Sequence, residues 1–219
     1  LQIASILRER GHHIVFIDAN GENLTYSEIK RKISAIQYDI LIFRFGPTTF
    51  DWDIRVAQIS KELHSDTITV GICYTVWSIK KEVMEQGVYL DFLISNEWEQ
   101  IIPEIVSSIE TKNSFEKIKG ICFRKNGKLI ETPPVNTVGE YGDLPLPAYD
   151  LISNFKIYRP NTPTTGNFTI IYTSKGCPYR CIYCTVARTP HQSKPANKVI
   201  EELLLLYNNY NVKLVTFFD

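Results

Sequence analysis

The chain has 219 residues, enough for one large domain or two small ones. Its 24 lysine and arginine residues balance its 24 aspartate and glutamate residues, so the formal net charge is zero. That balance argues against broad electrostatic binding to nucleic acid or to an anionic membrane. Hydrophobic residues make up 44% of the chain and charged residues 22%, which indicates an ordered globular protein. No apolar run approaches the roughly 20 residues needed to span a bilayer.

The first half of the chain alternates apolar runs of strand length with helical patterns. The predicted buried strands occupy residues 14–17, 39–45, 67–72 and 91–94. A helix is predicted before Gly11, and others follow from apolar residues spaced three and four apart at 52–63 and 102–109. Such alternation predicts an α/β fold with β-α-β units and a parallel sheet. We therefore expect residues 1–112 to form a doubly wound, Rossmann-like domain whose first strand is missing.

Two different segments follow this predicted domain. Residues 113–132 are predicted to form a β-hairpin, because Asn126-Gly127 separates two strand-like runs. Residues 133–167 are predicted to form a linker, since six of the 11 prolines lie between Pro133 and Pro163. Proline removes backbone donors and fixes φ, so this stretch should be extended and irregular.

Residues 168–219 predict a strand, a loop, a helix and a second strand. The first strand covers residues 168–173, Pro195 suits the first turn of the helix, and the second strand covers residues 212–218. This order is typical of the beginning of a parallel β/α barrel or sheet. The chain starts without methionine and ends on an apolar run, so we expect it to be a fragment of a longer protein.

Three of the five cysteines fall within eight residues of the predicted loop. Cys177, Cys181 and Cys184 have the spacing C-x3-C-x2-C. Thiolates are the ligands of iron–sulfur clusters, and a fully ligated 4Fe–4S cluster uses four of them. Three ligands would leave one iron open, which is typical of a catalytic metal site. The loop also follows the carboxyl end of a strand, where α/β proteins place active sites.

Two other interpretations of these cysteines stay open. They could bind zinc together with His191, although that spacing fits no common zinc finger well. They could also be three unrelated thiols, but their clustering argues against this. Cys73 and Cys122 lie far from the cluster in sequence and are predicted to be buried, non-ligating thiols.

The cysteine pattern, preceded by Thr173–Gly176 and followed by Val215–Asp219, resembles that of the radical S-adenosylmethionine (SAM) superfamily. The resemblance implies that the three cysteines hold a 4Fe–4S cluster. SAM would chelate the fourth iron, and an electron from the cluster would cleave SAM to a 5′-deoxyadenosyl radical. By the same resemblance Tyr183 lies near the adenine; it could equally shield the cluster from water. The resemblance supplies no catalytic residue within this chain.

The first half is similar to the cobalamin-binding members of that superfamily. The similarity is carried by Leu7–Ala19 and by the linker segment Leu144–Asp150. It implies a cobalamin-binding domain ahead of a radical SAM domain that begins at residue 168. The loops at Val70–Cys73 and Ser95–Glu99 depart from the motifs that this family often has there. Cobalamin binding is therefore left open at this point.

These resemblances imply a radical SAM enzyme that catalyses cobalamin-linked methyl transfer or a radical rearrangement, although the fragment itself could be inactive. We expect a small-molecule, lipid or peptide substrate, a reductant such as flavodoxin or ferredoxin, a cytoplasmic location, and no nucleic acid. One alternative is a methylthiotransferase-like radical SAM enzyme, but those have three further cluster cysteines where this chain has only Cys73 and Cys122. The other is a non-enzymatic module that binds zinc or an iron–sulfur cluster.

Overall fold

The computed structural model describes the chain except for residues 95–96, 136–140, 161, 164 and 185 and the side chains of residues 74, 76 and 77. The chain divides into two units. The continuous unit runs from Leu24 to Asn136, and the discontinuous unit combines Leu1–Asn23 with Thr137–Asp219. The boundaries expected from the sequence at residues 112, 132 and 167 stay predictions for the whole protein.

Helices and strands alternate in the first half of the chain, and several strands follow one another after residue 120. The α-helices are α1 (Gln2–Glu9), α2 (Tyr26–Ser34), α3 (Phe50–Asp53), α4 (Arg55–Leu63), α5 (Lys80–Gln86), α6 (Trp98–Glu110) and α7 (Ala196–Tyr210). The strands are β1 (Ile40–Arg44), β2 (Ile68–Ile72), β3 (Phe92–Ile94), β4 (Ile121–Lys125), β5 (Lys128–Glu131), β6 (Asn167–Ile171), β7 (Ser174–Cys177), β8 (Thr189–Ser193) and β9 (Val212–Phe217). None of these helices is long and apolar enough to cross a membrane, a finding that covers the described residues alone.

The continuous unit is built on a five-stranded sheet in the order β1-β2-β3-β4-β5. The first three strands are parallel and are connected through helices, as the alternation of apolar runs and helical patterns predicts. The hairpin predicted around Asn126-Gly127 is present, and it extends the sheet because β4 pairs antiparallel with β3. The predicted α/β, Rossmann-like fold is confirmed, with a mixed sheet in place of a purely parallel one.

The core of this unit comes from apolar residues on the strands and on the helices that connect them. β3 is buried along its whole length, which suits a central strand covered on both faces. Helix α6 buries one side through Ile101, Ile102 and Ile105. One cluster of buried side chains also contains the two isolated cysteines: Phe45, Cys73, Val83, Met84, Leu90, Leu93 and Cys122. Both isolated thiols are therefore buried, as predicted.

The discontinuous unit begins with α1, which ends as the glycine signal predicts. Gly11 has φ = +90° and its N–H donates to the Arg8 carbonyl, while the His12 N–H donates to the Leu7 carbonyl. This is the double hydrogen-bond pattern of a glycine-terminated helix, in which the left-handed residue costs little.

Helix α1 is bound to the proline-rich segment near residue 147. The Gln2 side-chain amide donates to the Pro145 carbonyl at 2.6 Å, and the Ser5 hydroxyl donates to the Leu146 carbonyl at 2.5 Å. Arg8 also forms an ion pair of 2.8 Å with Asp150. Side chains at the start of the chain therefore satisfy backbone carbonyls of a segment that has no regular secondary structure of its own.

The strand predicted at residues 14–17 is wrong. The segment has no strand structure, and the Val15 and Phe16 side chains are exposed. A strand exists only when a neighbouring backbone pairs with it, and no described strand pairs with this run. The apolar composition alone could not reveal that lack of a partner.

The C-terminal elements form the predicted β-α-β unit. Strands β6 and β9 are parallel and adjacent, and α7 provides the connection between them. Leu206 of α7 is fully buried, packing with Ile171 of β6 and Val212 of β9. This arrangement places the carboxyl ends of β6 and β9 side by side, and the cysteine-rich segment starts just beyond the end of β6.

Candidate functional site

The segment with the three cysteines is a loop closed by a pair of short strands. β7 and β8 pair antiparallel, and we call the chain from residue 177 to residue 188 the cysteine loop. The register shifts at Gly176, which has φ = +76°. A Cβ atom at this position would collide with the Pro190 carbonyl. Glycine is therefore required here both for the backbone conformation and for the close approach of the two strands.

Hydrogen bonds inside the loop bring its two sides together. The Cys177 N–H donates to the Thr189 hydroxyl at 2.9 Å, and that hydroxyl donates to the Val186 carbonyl at 2.8 Å. Further out, the Arg188 N–H donates to the Tyr179 carbonyl at 2.9 Å. Arg188 itself has φ = +62°, an uncommon conformation for a residue with a side chain. These hydrogen bonds link the described residues at the two sides of the loop.

All three thiols of the loop are free and reach the surface to some degree. Cys181 is exposed, whereas Cys177 and Cys184 are half-buried. The Cys184 N–H donates to the Cys181 carbonyl, so these two residues share one tight turn. Among the described residues, no three His, Cys, Asp or Glu side chains are gathered closely enough to form a metal-binding group. This holds for the three cysteines alone and for the set with His191, which lies on β8.

The donor chemistry of the loop nevertheless fits an iron–sulfur cluster. Three thiolates on one short, closed loop are soft ligands of the kind that such clusters use. Cys177 is anchored at the base of the loop by Thr189, while Cys181 and Cys184 lie on its outer turn. Binding a cluster would require the thiol side chains to converge above a backbone that is already closed.

Large side chains next to the thiols face solvent. Tyr183 is 87% exposed, and Ile182 and Tyr179 are also strongly exposed. Exposed apolar groups at the mouth of a loop are suited to covering a bound group and excluding water from it. The role predicted for Tyr183, contact with the adenine of SAM, stays a prediction.

The carboxylate of Asp219, just beyond β9, binds the chain at the start of β7. Asp219 accepts hydrogen bonds from the backbone N–H groups of Thr173 and Ser174, each at 2.8 Å, and from the Thr173 hydroxyl. Burial by itself would raise the pKa of Asp219, but these hydrogen bonds outweigh it and lower the pKa. The ionised carboxylate therefore links the chain beyond the end of β9 to the residues that follow β6 and precede the cysteine loop.

We expect Asp219→Asn to reduce thermal stability near neutral pH, because an amide oxygen is a weaker acceptor than a carboxylate. The pKa of Asp219 is lower in the folded chain than in the unfolded one. Its contribution is therefore complete above the unfolded pKa of about 3.9 and is lost as the pH falls through the lower folded value. Thermal unfolding of both proteins across this range checks the prediction. The exposed Asp143→Asn serves as the control, and a stability difference for Asp219→Asn that does not shrink in acid would contradict it.

The chain that follows β8 leads, at the same end of the β7–β8 pair, to a buried ionic group. Lys194 follows β8, and its ammonium donates to the carboxylate of Glu202 at 2.5 Å. The Tyr149 hydroxyl donates to the other oxygen of the same carboxylate at 2.6 Å. Burial, reinforced by the neighbouring Glu202 charge, raises the pKa of Tyr149 well above its usual range.

In the continuous unit, the edge that could accept a corrin lies at the carboxyl ends of the parallel strands. Thr49, which follows β1, has its hydroxyl bound to Asp53 at 2.5 Å. Cys73, which follows β2, is buried, and Trp98 is half-buried at the start of α6. Ser95 and Asn96 of the altered loop motif lie outside the described residues.

Several features of the site have no clear signal in the sequence. The polar segment that forms β8 lacks the apolar alternation from which strands are predicted. The contacts of Asp219 with Ser174 and of Glu202 with Tyr149 join residues 45 and 53 positions apart, beyond the reach of local pattern analysis. The sequence places Gly176 directly before Cys177, and a glycine at such a position can indicate a close approach of two backbones. It does not indicate which segment approaches.

Two relatives align with almost the whole length of this chain. It is 27% identical over 220 residues to an uncharacterised methyltransferase of Pyrococcus horikoshii, covering 99% of this chain and 47% of that protein. It is 25% identical to the anaerobic magnesium-protoporphyrin IX monomethyl ester cyclase of Synechocystis, covering 100% of this chain and 44% of the cyclase. The chain thus spans less than half the length of these relatives. No family model matches it.

Solved structures agree with the fold. TsrM from Kitasatospora setae, a radical S-adenosylmethionine methyltransferase, matches with a TM-score of 0.73 and 15% identity over 99% of this chain and 44% of TsrM. OxsB, a cobalamin-dependent S-adenosylmethionine radical enzyme, matches with a TM-score of 0.77 and 17% identity over 99% of this chain and 30% of OxsB. The resemblance carried by the cysteine motif is thereby confirmed: the chain is similar over almost its whole length to a methyltransferase and a cyclase, and it has the fold of two radical SAM enzymes, TsrM and the cobalamin-dependent OxsB.

Proposed function

We propose that the protein containing this chain is a radical SAM enzyme that carries out cobalamin-linked methyl transfer or a radical rearrangement. The observation that carries the proposal is the cysteine loop, which holds three free thiols with C-x3-C-x2-C spacing beyond the carboxyl end of β6. When bound, a 4Fe–4S cluster supplies the electron for reductive cleavage of SAM. The names of the relatives, a methyltransferase and a cyclase, support these two reaction classes.

In this proposal the residues of the chain bind, orient and shield. Cys177, Cys181 and Cys184 hold the cluster, and Thr189 fixes the backbone of Cys177 through its hydroxyl. Tyr183 contacts the adenine of SAM, using an aromatic ring that the structure leaves exposed beside the thiols. The exposed side chains of Ile182 and Tyr179 help to exclude water once the site is filled.

The substrate class is proposed as a small molecule or a lipid. TsrM is described with a tryptophan substrate, and a further relative, 22% identical over 84% of this chain and 34% of its own length, is the hopanoid C-3 methylase of Methylococcus capsulatus. The zero net charge gives no support for a nucleic-acid substrate. A one-electron donor of the flavodoxin or ferredoxin type is also proposed, together with a reducing compartment such as the cytoplasm, because an open iron site is sensitive to oxygen.

Anaerobic reconstitution of the whole protein with ferrous iron and sulfide tests this function. We expect about four irons per cysteine loop and an electron paramagnetic resonance (EPR) spectrum of the reduced protein that changes when SAM is added. Cobalamin added to the same protein should be retained after gel filtration. One equivalent of zinc that resists exchange for iron, or a cluster indifferent to SAM, would instead favour the non-enzymatic binding module.

A further inference from the structure

A largely buried network joins three side chains next to the end of β8, those of Tyr149, Lys194 and Glu202. Glu202 of α7 is 1% exposed, and each of its carboxylate oxygens has a partner. One oxygen accepts from the Tyr149 hydroxyl at 2.6 Å and the other from the Lys194 ammonium at 2.5 Å. The ammonium of Lys194 also lies 5.2 Å from the centre of the Tyr141 ring. The carboxylate is therefore buried with a partner on each oxygen, and the side chain of Lys194 is 8% exposed.

A buried ion pair of this kind contributes little net stability to a core. The free energy needed to remove a carboxylate and an ammonium from water can exceed the free energy gained from their attraction. Apolar residues of similar volume often stabilise a fold equally well. A buried ion pair is better suited to fixing one arrangement, because any displacement leaves a charge without its partner. The position of Lys194 indicates which arrangement this network fixes.

Lys194 joins the two strands that close the cysteine loop, at the ends of β7 and β8 farther from the loop. It follows the last residue of β8, and its backbone N–H donates at 2.6 Å to the carbonyl of Thr173, the residue just before β7. Its side chain is held by Glu202 and, through Glu202, by Tyr149 of the proline-rich segment. Nearby, the backbone N–H of Tyr141 donates to the Gln192 side chain on β8 at 2.9 Å. A helix and the proline-rich segment thus fasten the strand that closes the loop.

We infer that Glu202, acting through Lys194 and supported by Tyr149, is a positioning residue for the cysteine loop and sets the geometry in which its thiolates bind a cluster. The inference rests on the proposed function. Among the described residues, the hydrogen-bond partners of the Glu202 carboxylate are Tyr149 and Lys194, so it acts on the loop through the backbone that Lys194 fixes. Changes in groups that orient metal ligands typically cost about 10–100-fold in metal affinity.

The test compares neighbouring glutamates on α7 in the whole protein. Glu202→Gln removes the buried charge, whereas Glu201→Gln removes an exposed partner of Lys198, 3.0 Å away, and is the matched control. Each variant is reconstituted anaerobically with limiting ferrous iron and sulfide. We measure iron per chain, the EPR spectrum with and without SAM, and thermal unfolding before reconstitution.

We expect Glu202→Gln to bind the cluster about tenfold more weakly and to show an altered EPR spectrum, whereas Glu201→Gln keeps both wild-type values. Because Glu202→Gln strands the Lys194 charge and could prevent folding, Tyr149→Phe provides a milder change. It should shift iron binding and the EPR spectrum in the same direction by a smaller amount. Glu202→Leu with Lys194→Met replaces the ion pair by apolar side chains, which should restore thermal stability but not the wild-type spectrum.

Failure of this inference and failure of the proposed function give different results. If the double variant regains both stability and the wild-type cluster spectrum, or if Tyr149→Phe and Glu202→Gln fold and load iron like the wild type, the network is only structural and the inference is overturned. If the wild-type protein itself binds no iron or does not respond to SAM, the proposed function fails, and the inference fails with it.

Discussion

Replacing any one of Cys177, Cys181 and Cys184 with serine is expected to reduce bound iron from about four atoms per cysteine loop to nearly none. A cluster held by only three protein thiolates has no spare protein ligand, and a serine hydroxyl does not supply the soft thiolate that iron–sulfur clusters require. The SAM-dependent change in the EPR spectrum should disappear with the iron. Iron analysis and EPR after anaerobic reconstitution measure both effects.

Cys122→Ala is the matched control for these substitutions. Cys122 is fully buried in β4, within the continuous unit, and burial raises the pKa of its thiol, so it is poorly suited to act as a thiolate ligand. The variant should keep about four irons. Loss of iron in Cys122→Ala would contradict this assignment and would support a methylthiotransferase-like enzyme with a second cluster.

Leu206→Ala is expected to lower the free energy of unfolding by about 2–5 kcal/mol, the range for a leucine truncated in a packed core. Leu206 is 0% exposed and packs with Ile171, Val212 and Tyr149 between α7 and the parallel strands beneath it. Alanine would leave a cavity at the point where the helix, β6 and β9 meet. Chemical denaturation followed by circular dichroism measures the change.

Leu204→Ala tests the same helix without the cavity. Leu204 is 55% exposed, so its truncation removes little buried surface, and alanine is at least as favourable in a helix. The expected change is within about 0.5 kcal/mol. Equal losses for the two variants would show that α7 does not pack through Leu206 in the way described.

Much of the fold could be predicted because its signals are local. Strands β1, β2 and β3 are short apolar runs, and the helix α6 repeats apolar residues every three or four positions. The hairpin depends on Asn126-Gly127, where both residues have positive φ and their types favour that conformation. In each case the deciding information lies within about ten residues of the element, where sequence patterns are most informative.

Features that depend on distant partners could not be predicted in this way. Residues 14–17 have the composition of a buried strand but lack a paired neighbour, whereas the polar segment of β8 becomes a strand because β7 lies beside it. The same distinction applies to the site. The spacing of the three cysteines is local and was recognisable, but the carboxylates of Asp219 and Glu202 become part of the site only when the chain brings distant segments together.

The division of the chain also has a consequence for its synthesis on the ribosome. The contacts of α1 with Pro145 and Leu146 join residues 141 to 143 positions apart, whereas Leu24–Asn136 forms a continuous unit. At translation rates of about 5–20 residues per second, α1 waits roughly 7 to 30 s for its partner segment to be made. An isolated helix of eight residues is barely stable in water, so α1 should stay unfolded during this interval while the continuous unit folds first. The residues of α1 should thus reach their final structure after the continuous unit that follows them in the sequence.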